Sequence, residues 1–320
     1  MRTVSRFERD VTDSRSTAVL DRSSHPPRSW LFVPATRIDE LLPKAIRSGA
    51  DAVVVDLEDA VPLSLKDEAR ERLKATVTGP AAVPLFVRVN ANAGSTDSDV
   101  RAAVSVGADG IMAPKVETAD QVLWLAKLLA AAEADSGRAT PLLIVPLVET
   151  AAGVLATLSI ASADERVLGV AFGGEDLAAN LGVSRTRSGS ELRHARGHVV
   201  LAAVAAGRWA LDSPSTDLSR PEQTAREARL AVALGYVGKL AIHPSQIAAI
   251  NRAFVPTDAQ VDAARRLIDA LESARGEGRG AVAYEGRMVD DAAVRAARRV
   301  LTRAHLALGQ RSGKTAPSEG

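Results

Sequence analysis

Ionisable side chains follow the apolar runs of this sequence at the points where those runs end. Each run is short and rich in β-branched residues. Taken alone, one charged residue after a run, for example Asp212, is a solvated loop position or a helix cap. Charge after seven successive runs indicates one shared pocket, because clustered charges cost free energy unless a cation or an anionic ligand offsets them. The residues in question are Asp56, Glu58, Asp59, Arg88, Lys115, Glu149, Glu175, Asp176, Asp212 and His243.

Two of these carboxylates, Glu149 and Asp176, are the predicted metal ligands. Each follows an unbroken apolar run, and the two runs are consecutive in the chain. Carboxylate oxygens favour a hard cation, and Mg²⁺ typically needs only one or two protein carboxylates because it keeps several waters. We therefore predict Mg²⁺, with Mn²⁺ as the alternative ion. A competing interpretation is that Asp176 only caps a helix beginning at Leu177.

Three basic residues are considered for a role on a substrate, and each has an alternative or an objection. Arg88 offers a planar fork for a carboxylate, although it could instead form a structural ion pair with Asp56 or Glu58. His243 could be a general base or a hydrogen-bond donor, or its ring could simply pack in a rigid turn before proline. Lys115 is a poor candidate for Schiff-base chemistry, because carboxylates nearby would raise rather than lower its pKa.

The elements that must hold these residues alternate between strand and helix. Continuous apolar runs suit strands buried on both faces of a parallel sheet, and alanine-rich stretches of helical period, such as 119–134, lie between them. Eight such units predict an α/β fold, a closed (β/α)8 TIM barrel with its site at the carboxyl ends of the strands. The runs begin at Ser29, Asp51, Pro84, Gly110, Pro141, Arg166, Arg208 and Gly238.

The chain divides into four predicted segments. Residues 1–27 are polar and predict a disordered tail, and 28–256 hold the barrel. Residues 257–310 predict a C-terminal helical extension, with helices at about 257–275 and 289–309 on either side of a glycine-rich segment. Residues 311–320 predict a second disordered tail.

Composition excludes several classes of partner. The 320 residues include 40 Lys plus Arg and 39 Asp plus Glu, so no global positive charge favours nucleic acid or an anionic membrane. The absence of cysteine removes disulfides, thiolate metal sites and a cysteine nucleophile. The N-terminus lacks the apolar core of a secretory signal, and no apolar run is long enough to span a membrane. These features predict a cytoplasmic protein.

Eight motifs in order resemble one family over about residues 28–310. They are RSWLFVPA, DLEDAV, RVN, PKVE, VETAAGV, FGGEDLAANLG, GKLAIHPSQ and EGRMVD. Together they resemble the citrate lyase β-subunit-like branch of the HpcH/HpaI aldolase superfamily, which includes malyl-CoA and citramalyl-CoA lyases. Val33 and Ala35 stand where some relatives have glycine, so the acyl-CoA entrance is expected to differ.

The resemblance implies roles for individual residues. Glu149 and Asp176 would bind Mg²⁺, and Arg88 would hold the carboxylate of a 2-oxoacid. Asp290, a catalytic residue, would reach the site of a neighbouring subunit, which implies a homo-oligomer, a trimer or hexamer. Residues near the metal would support its ligands; these are Asp56, Glu58, Asp59 and Lys115. The implied contacts to the acyl-CoA pocket are Phe32, Val33, Arg37, Lys44, Glu175, Ile242 and His243.

The implied activity is cleavage or formation of a carbon–carbon bond in a malyl-CoA or citramalyl-CoA type of 3-hydroxyacyl-CoA. The products of cleavage would be acetyl-CoA or propionyl-CoA and glyoxylate or pyruvate, with Asp290 as the proton donor to the enolate carbon. Alternatives are a malyl-CoA thioesterase and a non-autonomous subunit acting on an acyl-carrier-protein thioester. An aldolase acting on free pyruvate is disfavoured by Arg37, Lys44 and the extension that carries Asp290.

Overall fold

Eight parallel strands close into a barrel. The computed structural model describes residues 25–276 and 280–314. The strands are β1 (Ser29–Pro34), β2 (Ala52–Asp56), β3 (Leu85–Arg88), β4 (Gly110–Ala113), β5 (Leu143–Val148), β6 (Gly169–Phe172), β7 (Trp209–Asp212) and β8 (Gly238–Ala241). Each strand pairs with the next, and β1 also pairs with β8, so the predicted (β/α)8 barrel is confirmed.

Helices connect the strands and cover the outside of the barrel. Local signals explain the bounds of the helix after β4, because Thr118 and Gln121 form a capping box at its start and Gly137, with φ of 70°, ends it. The helices are α1 (Ile38–Arg47), α2 (Lys66–Thr76), α3 (Ala93–Ser105), α4 (Ala119–Ser136), α5 (Ala151–Leu155), α6 (Thr157–Ser162), α7 (Gly174–Asn180), α8 (Arg193–Ala205), α9 (Pro221–Leu234) and α10 (Ile247–Ala253).

Alternating strand residues divide the core into two layers. An inner layer fills the barrel, where the rings of Trp30 and Phe86 lie 4.8 Å apart between centroids. An outer layer, which includes Val53 and Val55, packs the strands against the helices. Because successive side chains of a strand point to opposite faces, counting from an inner-layer residue shows which strand-end side chains reach the mouth of the barrel.

A small helical unit follows the barrel. It comprises α11 (Asp258–Gly276), the antiparallel strands β9 (Val282–Tyr284) and β10 (Arg287–Val289), and α12 (Asp291–Lys314). The two predicted helices are present, but the sequence did not predict the hairpin between them, and α12 continues five residues past the expected helix end at about 309. The expected tails lie largely outside the described residues. None of the helices within the described ranges is long and apolar enough to cross a membrane.

Candidate active site

Polar side chains of three strands meet at the mouth of the barrel. Asp56, Arg88 and Glu149 each stand two positions after an inner-layer residue of β2, β3 and β5, so all three point into the mouth. Asp56 and Glu149 are each only 2% exposed. The carboxyl ends of the strands therefore form the polar end of the barrel, as the sequence predicts.

Asp212 lies on the other side of the barrel wall. It follows the inner-layer residue Leu211, so it turns outwards, and it is fully buried. Arg196 of α8 donates two hydrogen bonds to it, at 3.0 and 2.9 Å, and Nζ of Lys239 donates a third at 2.9 Å. The prediction that charges from seven strand ends converge on one mouth is wrong for Asp212, and so is its interpretation as a solvated loop position or cap.

Arg88 is fixed at the mouth by carboxylates. Its Nε and Nη2 donate to the two oxygens of Asp56, at 2.8 and 2.6 Å, and Nη1 donates to Asp59 at 3.2 Å. The ring centroid of Phe32 lies 4.9 Å from the guanidinium carbon. Burial alone would lower the pKa of Arg88, but the neighbouring carboxylates, Asp56 first, raise it by more than burial lowers it. The net effect is a raised pKa, so Arg88 stays a cation. The ion pair with Asp56, considered from sequence as an alternative role, is present.

Glu58 joins Arg88 to Lys115. Its Oε1 accepts a hydrogen bond from Nζ of Lys115 at 2.7 Å. Its Oε2 lies 3.0 Å from Nη1 of Arg88, but this approach lacks hydrogen-bond geometry, so Oε2 accepts no hydrogen bond from the described residues. Burial raises the pKa of Glu58, against the opposing effects of the two cations. Glu58 is therefore a buried acid whose charge depends on its neighbours.

Lys115 also supports Glu149 through its backbone. Its φ of 55° is in the left-handed region, which costs a residue with a side chain about 1 kcal/mol or more. In this conformation its N–H donates to Oε1 of Glu149 at 2.8 Å. The hydrogen bond with Glu58 raises the pKa of the Lys115 amine, which agrees with the argument against Schiff-base chemistry.

Asp176 lies on a helix and not at a strand end. β6 ends at Phe172, and Asp176 is in the first turn of α7, where its side chain is exposed. Gly173 is the N-cap of this helix, and no side chain caps it, so the interpretation of Asp176 as a cap for a helix starting at Leu177 is wrong. The charge of Asp176 nevertheless acts on Glu149, since it helps to raise the pKa of that carboxyl.

Two glycines before Asp176 give the neighbouring side chains room. A Cβ on Gly173 would lie 2.4 Å from Cβ of Glu149 and 2.5 Å from its Oε2. A Cβ on Gly174 would lie 2.9 Å from Nη1 of Arg185 and 3.0 Å from Oγ of Ser213. The contact at Gly173 is with Cβ of Glu149, which is too close for any other residue, so Gly173 lets Glu149 and α7 come together. At Gly174 the nearest atom belongs to the end of the flexible Arg185 side chain, which could move aside. Sequence analysis missed this role, although the Gly-Gly pair directly after an apolar run was a signal for it.

Buried polar residues behind the mouth hold the loop that carries Glu58. Nζ of Lys66 donates to the carbonyls of Leu57 and Glu58, at 2.6 Å each, and Asn90 donates to the Leu57 carbonyl at 2.9 Å. Asn90 also donates to the fully buried Asp99. Lys66 and Asp99 could not be singled out from sequence, because nothing local to them reveals partners so distant in the chain.

The expected acyl-CoA contacts of β1 and α1 divide into two groups. Phe32 packs beside the inner layer, whereas the side chain of Val33 is buried in the outer layer, which leaves only its backbone for a ligand. Arg37 and Lys44 are exposed, and each bonds to Glu40 at 2.7 Å. The hydrogen bond from Lys44, and then the one from Arg37, lower the pKa of Glu40 to about 2. An anionic ligand at Arg37 and Lys44 would compete with Glu40.

The side chains of Glu175 and His243, two other expected pocket residues, have partners elsewhere, whereas that of Ile242 is partly exposed. The Glu175 carboxylate is paired with Arg185. Ile242 is 42% exposed at the end of β8. Nδ1 of His243 accepts the N–H of Ser245 at 3.2 Å and caps a short turn. The ring is exposed and caps the turn instead of packing in it, so the structural role differs from the one considered from sequence, and a role in binding stays a prediction.

Asp290 caps α12. Its Oδ1 accepts the N–H groups of Ala292 and Ala293, at 2.9 and 3.1 Å. No described hydrogen bond or ion pair joins it to the mouth of its own barrel. Its expected role in a neighbouring subunit stays a prediction.

The residues around Glu149 fit a divalent cation. No cluster of three or more acidic or imidazole side chains that could hold a metal occurs among the residues described. Mg²⁺ does not require three, because water completes its coordination. Glu149 is buried, and the charge of Asp176 also acts on it, so its pKa is raised. Its anionic form is therefore unfavourable unless a cation offsets the two negative charges. The donor set is therefore chemically suited to Mg²⁺.

Glu149 should make metal binding depend on pH. Burial, and then the charge of Asp176, raise its pKa to about 8. A cation must then displace a proton below pH 8, so affinity for Mg²⁺ should rise about tenfold per pH unit towards pH 8 and level off above it. Because the unfolded pKa is near 4.5, the metal-free fold should lose stability as pH rises from about 4.5 to 8. Calorimetric Mg²⁺ titrations across this range test the first expectation, and a flat affinity would contradict it.

Known proteins resemble this chain over most of its length. The model of the HpcH/HpaI aldolase/citrate lyase family matches residues 28–244. The citrate lyase subunit beta of Escherichia coli K12 is 36% identical over 297 residues, covering 91% of this chain and 97% of that protein. The L-malyl-CoA/beta-methylmalyl-CoA lyase of Rhodobacter capsulatus is 33% identical over 303 residues, covering 88% and 95%. Protein CitE of Mycobacterium tuberculosis, solved with magnesium, acetoacetate and coenzyme A, has a TM-score of 0.74 at 38% identity and covers 89% and 99%.

Proposed function

Since the chain belongs to the HpcH/HpaI aldolase/citrate lyase family, we propose that it is a Mg²⁺-dependent lyase of 3-hydroxyacyl-CoA esters. The chain is a carbon–carbon lyase by family. The metal and the class of substrate are what we propose beyond this family membership. The observation that carries it is the placement of Glu149, Asp56 and the cationic Arg88 at one barrel mouth.

Mg²⁺ is proposed at Glu149 and Asp176. The relative solved with coenzyme A also contains magnesium, and another structure of the Mycobacterium tuberculosis protein contains magnesium and oxaloacetate. When bound, Mg²⁺ would supply Lewis-acid polarisation of a substrate oxygen. The backbone N–H of Lys115 and the space left by Gly173 hold the Glu149 carboxylate in one orientation. Mn²⁺ remains the alternative ion.

The proposed substrates are an acyl-CoA and a small 2-oxoacid. Structures of the Mycobacterium tuberculosis protein contain coenzyme A, acetoacetate, oxaloacetate or pyruvate, and the Rhodobacter capsulatus relative is named for malyl-CoA and β-methylmalyl-CoA. Arg88 would face the oxoacid carboxylate, since Asp56 fixes its plane at the mouth. The choice between glyoxylate and pyruvate involves one methyl group, worth about 1 to 3 kcal/mol.

The chain's own residues would guide the movement of charge. The bond that breaks joins the hydroxyl-bearing carbon of the substrate to the carbon beside the thioester carbonyl. As that bond breaks, the hydroxyl gives up its proton and becomes the carbonyl of the 2-oxoacid, and the electron pair of the bond forms the acyl-CoA enolate. A proton is then added to the enolate carbon, which gives the acyl-CoA product. Arg88, permanently charged, stabilises the carboxylate of the departing oxoacid.

Asp290 of a neighbouring subunit is the proposed proton donor to the enolate carbon. This assignment requires a homo-oligomer, proposed as a trimer or hexamer. It is supported by the described contacts of Asp290, which are with α12 and not with its own barrel mouth. Inactive Asp290→Asn protein mixed with inactive Arg88→Ala protein should regain part of the activity if a site is shared between chains. Failure to regain activity in proven mixed oligomers would exclude sharing.

A citrate-lyase-like subunit acting on an acyl-carrier-protein thioester is the second candidate. It is favoured by the match to the subunit beta of Escherichia coli over 97% of that protein. The pairing of Arg37 and Lys44 with Glu40 also weakens the argument that these cations select free coenzyme A.

A cytoplasmic location stays a prediction.

A product assay tests the proposed function. The purified protein would be incubated with Mg²⁺, acetyl-CoA or propionyl-CoA, and glyoxylate or pyruvate, and the acyl-CoA products would be followed by mass spectrometry. A condensed 3-hydroxyacyl-CoA supports the lyase. Free coenzyme A together with the free hydroxyacid indicates a thioesterase, and no reaction without an acyl-carrier-protein thioester indicates the subunit.

A further inference from the structure

Asp59 lies between the two cations of the mouth. Its Oδ2 accepts a hydrogen bond from Nη1 of Arg88 at 3.2 Å, and its Oδ1 lies 3.8 Å from Nζ of Lys115. Its side chain is 55% exposed, whereas those of Asp56 and Glu58, which also contact Arg88, are 3% and 7% exposed. Asp59 is thus the one of these three carboxylates that solvent and ligands reach most easily.

The hydrogen bonds of Arg88 determine which carboxylate can leave. Asp56 engages Nε and Nη2 and also accepts the backbone N–H groups of Glu58 and Ala60, at 2.9 and 3.1 Å. Moving Asp56 would leave the buried N–H of Glu58 and three partly buried donors without this partner, which is expensive. Asp59 has no comparable set of backbone hydrogen bonds among the described residues, so a ligand carboxylate approaching Nη1 competes with Asp59.

We propose that Asp59 occupies the place of the oxoacid carboxylate before substrate binds, and that binding exchanges one carboxylate for the other between Arg88 and Lys115. The inference rests on the proposed function in taking a 2-oxoacid as the ligand. Arg88 stays paired with Asp56 and Lys115 with Glu58 throughout. The exchange keeps one further carboxylate between the two cations, so the charge balance of the mouth is the same before and after binding. Asp59 therefore lowers affinity for the oxoacid, and Lys115 becomes a second cation that contacts it.

The exchange also determines specificity. Only an anion can replace Asp59 between two cations, so a neutral carbonyl compound of similar size gains no such contact. The acyl-CoA partner, which carries no carboxylate at the thioester end, should be indifferent to Asp59.

Asp59→Asn tests the exchange, because it removes the competing charge at constant size. We expect the Kd for pyruvate in the presence of Mg²⁺, measured by calorimetry, to fall about fivefold, since one partly exposed ion pair no longer has to be displaced. The Kd for acetyl-CoA should not change. The matched control is Asp97→Asn, a similarly half-exposed carboxylate paired with Arg101 on α3, for which neither value should change.

The outcomes separate the exchange from the proposed function. Binding of pyruvate to the unmodified protein without tighter binding to Asp59→Asn overturns the exchange alone. Absence of binding to both proteins overturns the proposed function together with the exchange. Thermal unfolding checks that the variant is folded, and Asp59→Ser, with the same expected direction, replaces it if it is not. Lys115→Met should raise the Kd for pyruvate, and an unchanged Kd would remove Lys115 from the exchange.

Discussion

Glu149→Gln is expected to lower turnover about 1,000-fold, a barrier increase of about 4 kcal/mol, because it removes the buried carboxylate of the proposed metal site. Affinity for Mg²⁺ should fall with it. The fold should survive, since the pKa of Glu149, raised by burial to about 8, means that the neutral form suits the metal-free protein. Initial rates over a range of Mg²⁺ concentrations, together with melting curves in EDTA, measure both effects.

The control for this substitution is at the opposite end of the barrel. Glu165 is exposed in the turn before β6, so Glu165→Gln makes the same chemical change without touching the mouth. Full activity in Glu149→Gln would remove Glu149 from the site. A parallel loss in Glu165→Gln would indicate that the effect is not local.

Arg88→Lys is expected to lower kcat/KM for the oxoacid about 100-fold. Lysine keeps the charge but cannot make the two hydrogen bonds of the guanidinium to Asp56, so the cation is no longer held in one plane. Loss of charged hydrogen bonds worth about 3 kcal/mol corresponds to this factor. Steady-state kinetics with each substrate varied in turn would show the loss.

The pattern of the loss is as informative as its size. The KM for the acyl-CoA should change little, because Arg88 faces the oxoacid in the proposed arrangement. The matched control is Arg101→Lys, on the exposed surface of α3, which should change neither kcat/KM for the oxoacid nor the KM for the acyl-CoA. If only the KM for the acyl-CoA rises in Arg88→Lys, Arg88 contacts the acyl-CoA and not the oxoacid, which would contradict the proposed arrangement.

The barrel could be predicted from sequence because eight buried strands leave eight apolar runs. The direction of each strand-end side chain was harder. In β7, Trp209, Ala210 and Leu211 are all apolar, so no alternation shows that Asp212 points outwards. The hairpin of β9 and β10 was missed because strands of three residues are too short to show a period.

The candidate site was predictable where chemistry depends on residue type. Glu149 and Arg88 stand out because a carboxylate and a guanidinium directly follow apolar runs. Which atoms they contact depends on barrel closure, which brings Lys115 to Glu58 across 57 positions of sequence. No local pattern reveals such a contact, and the same is true of Asp59 between Arg88 and Lys115.

Anomalous diffraction from crystals soaked in Mn²⁺ and a 2-oxoacid tests the central claim most directly, since Mn²⁺ takes oxygen ligands like those of Mg²⁺. We expect one strong peak within about 2.3 Å of carboxylate oxygens of both Glu149 and Asp176, with the oxoacid beside Arg88. A peak elsewhere in the molecule, or none at this mouth when the oxoacid is bound there, would contradict it.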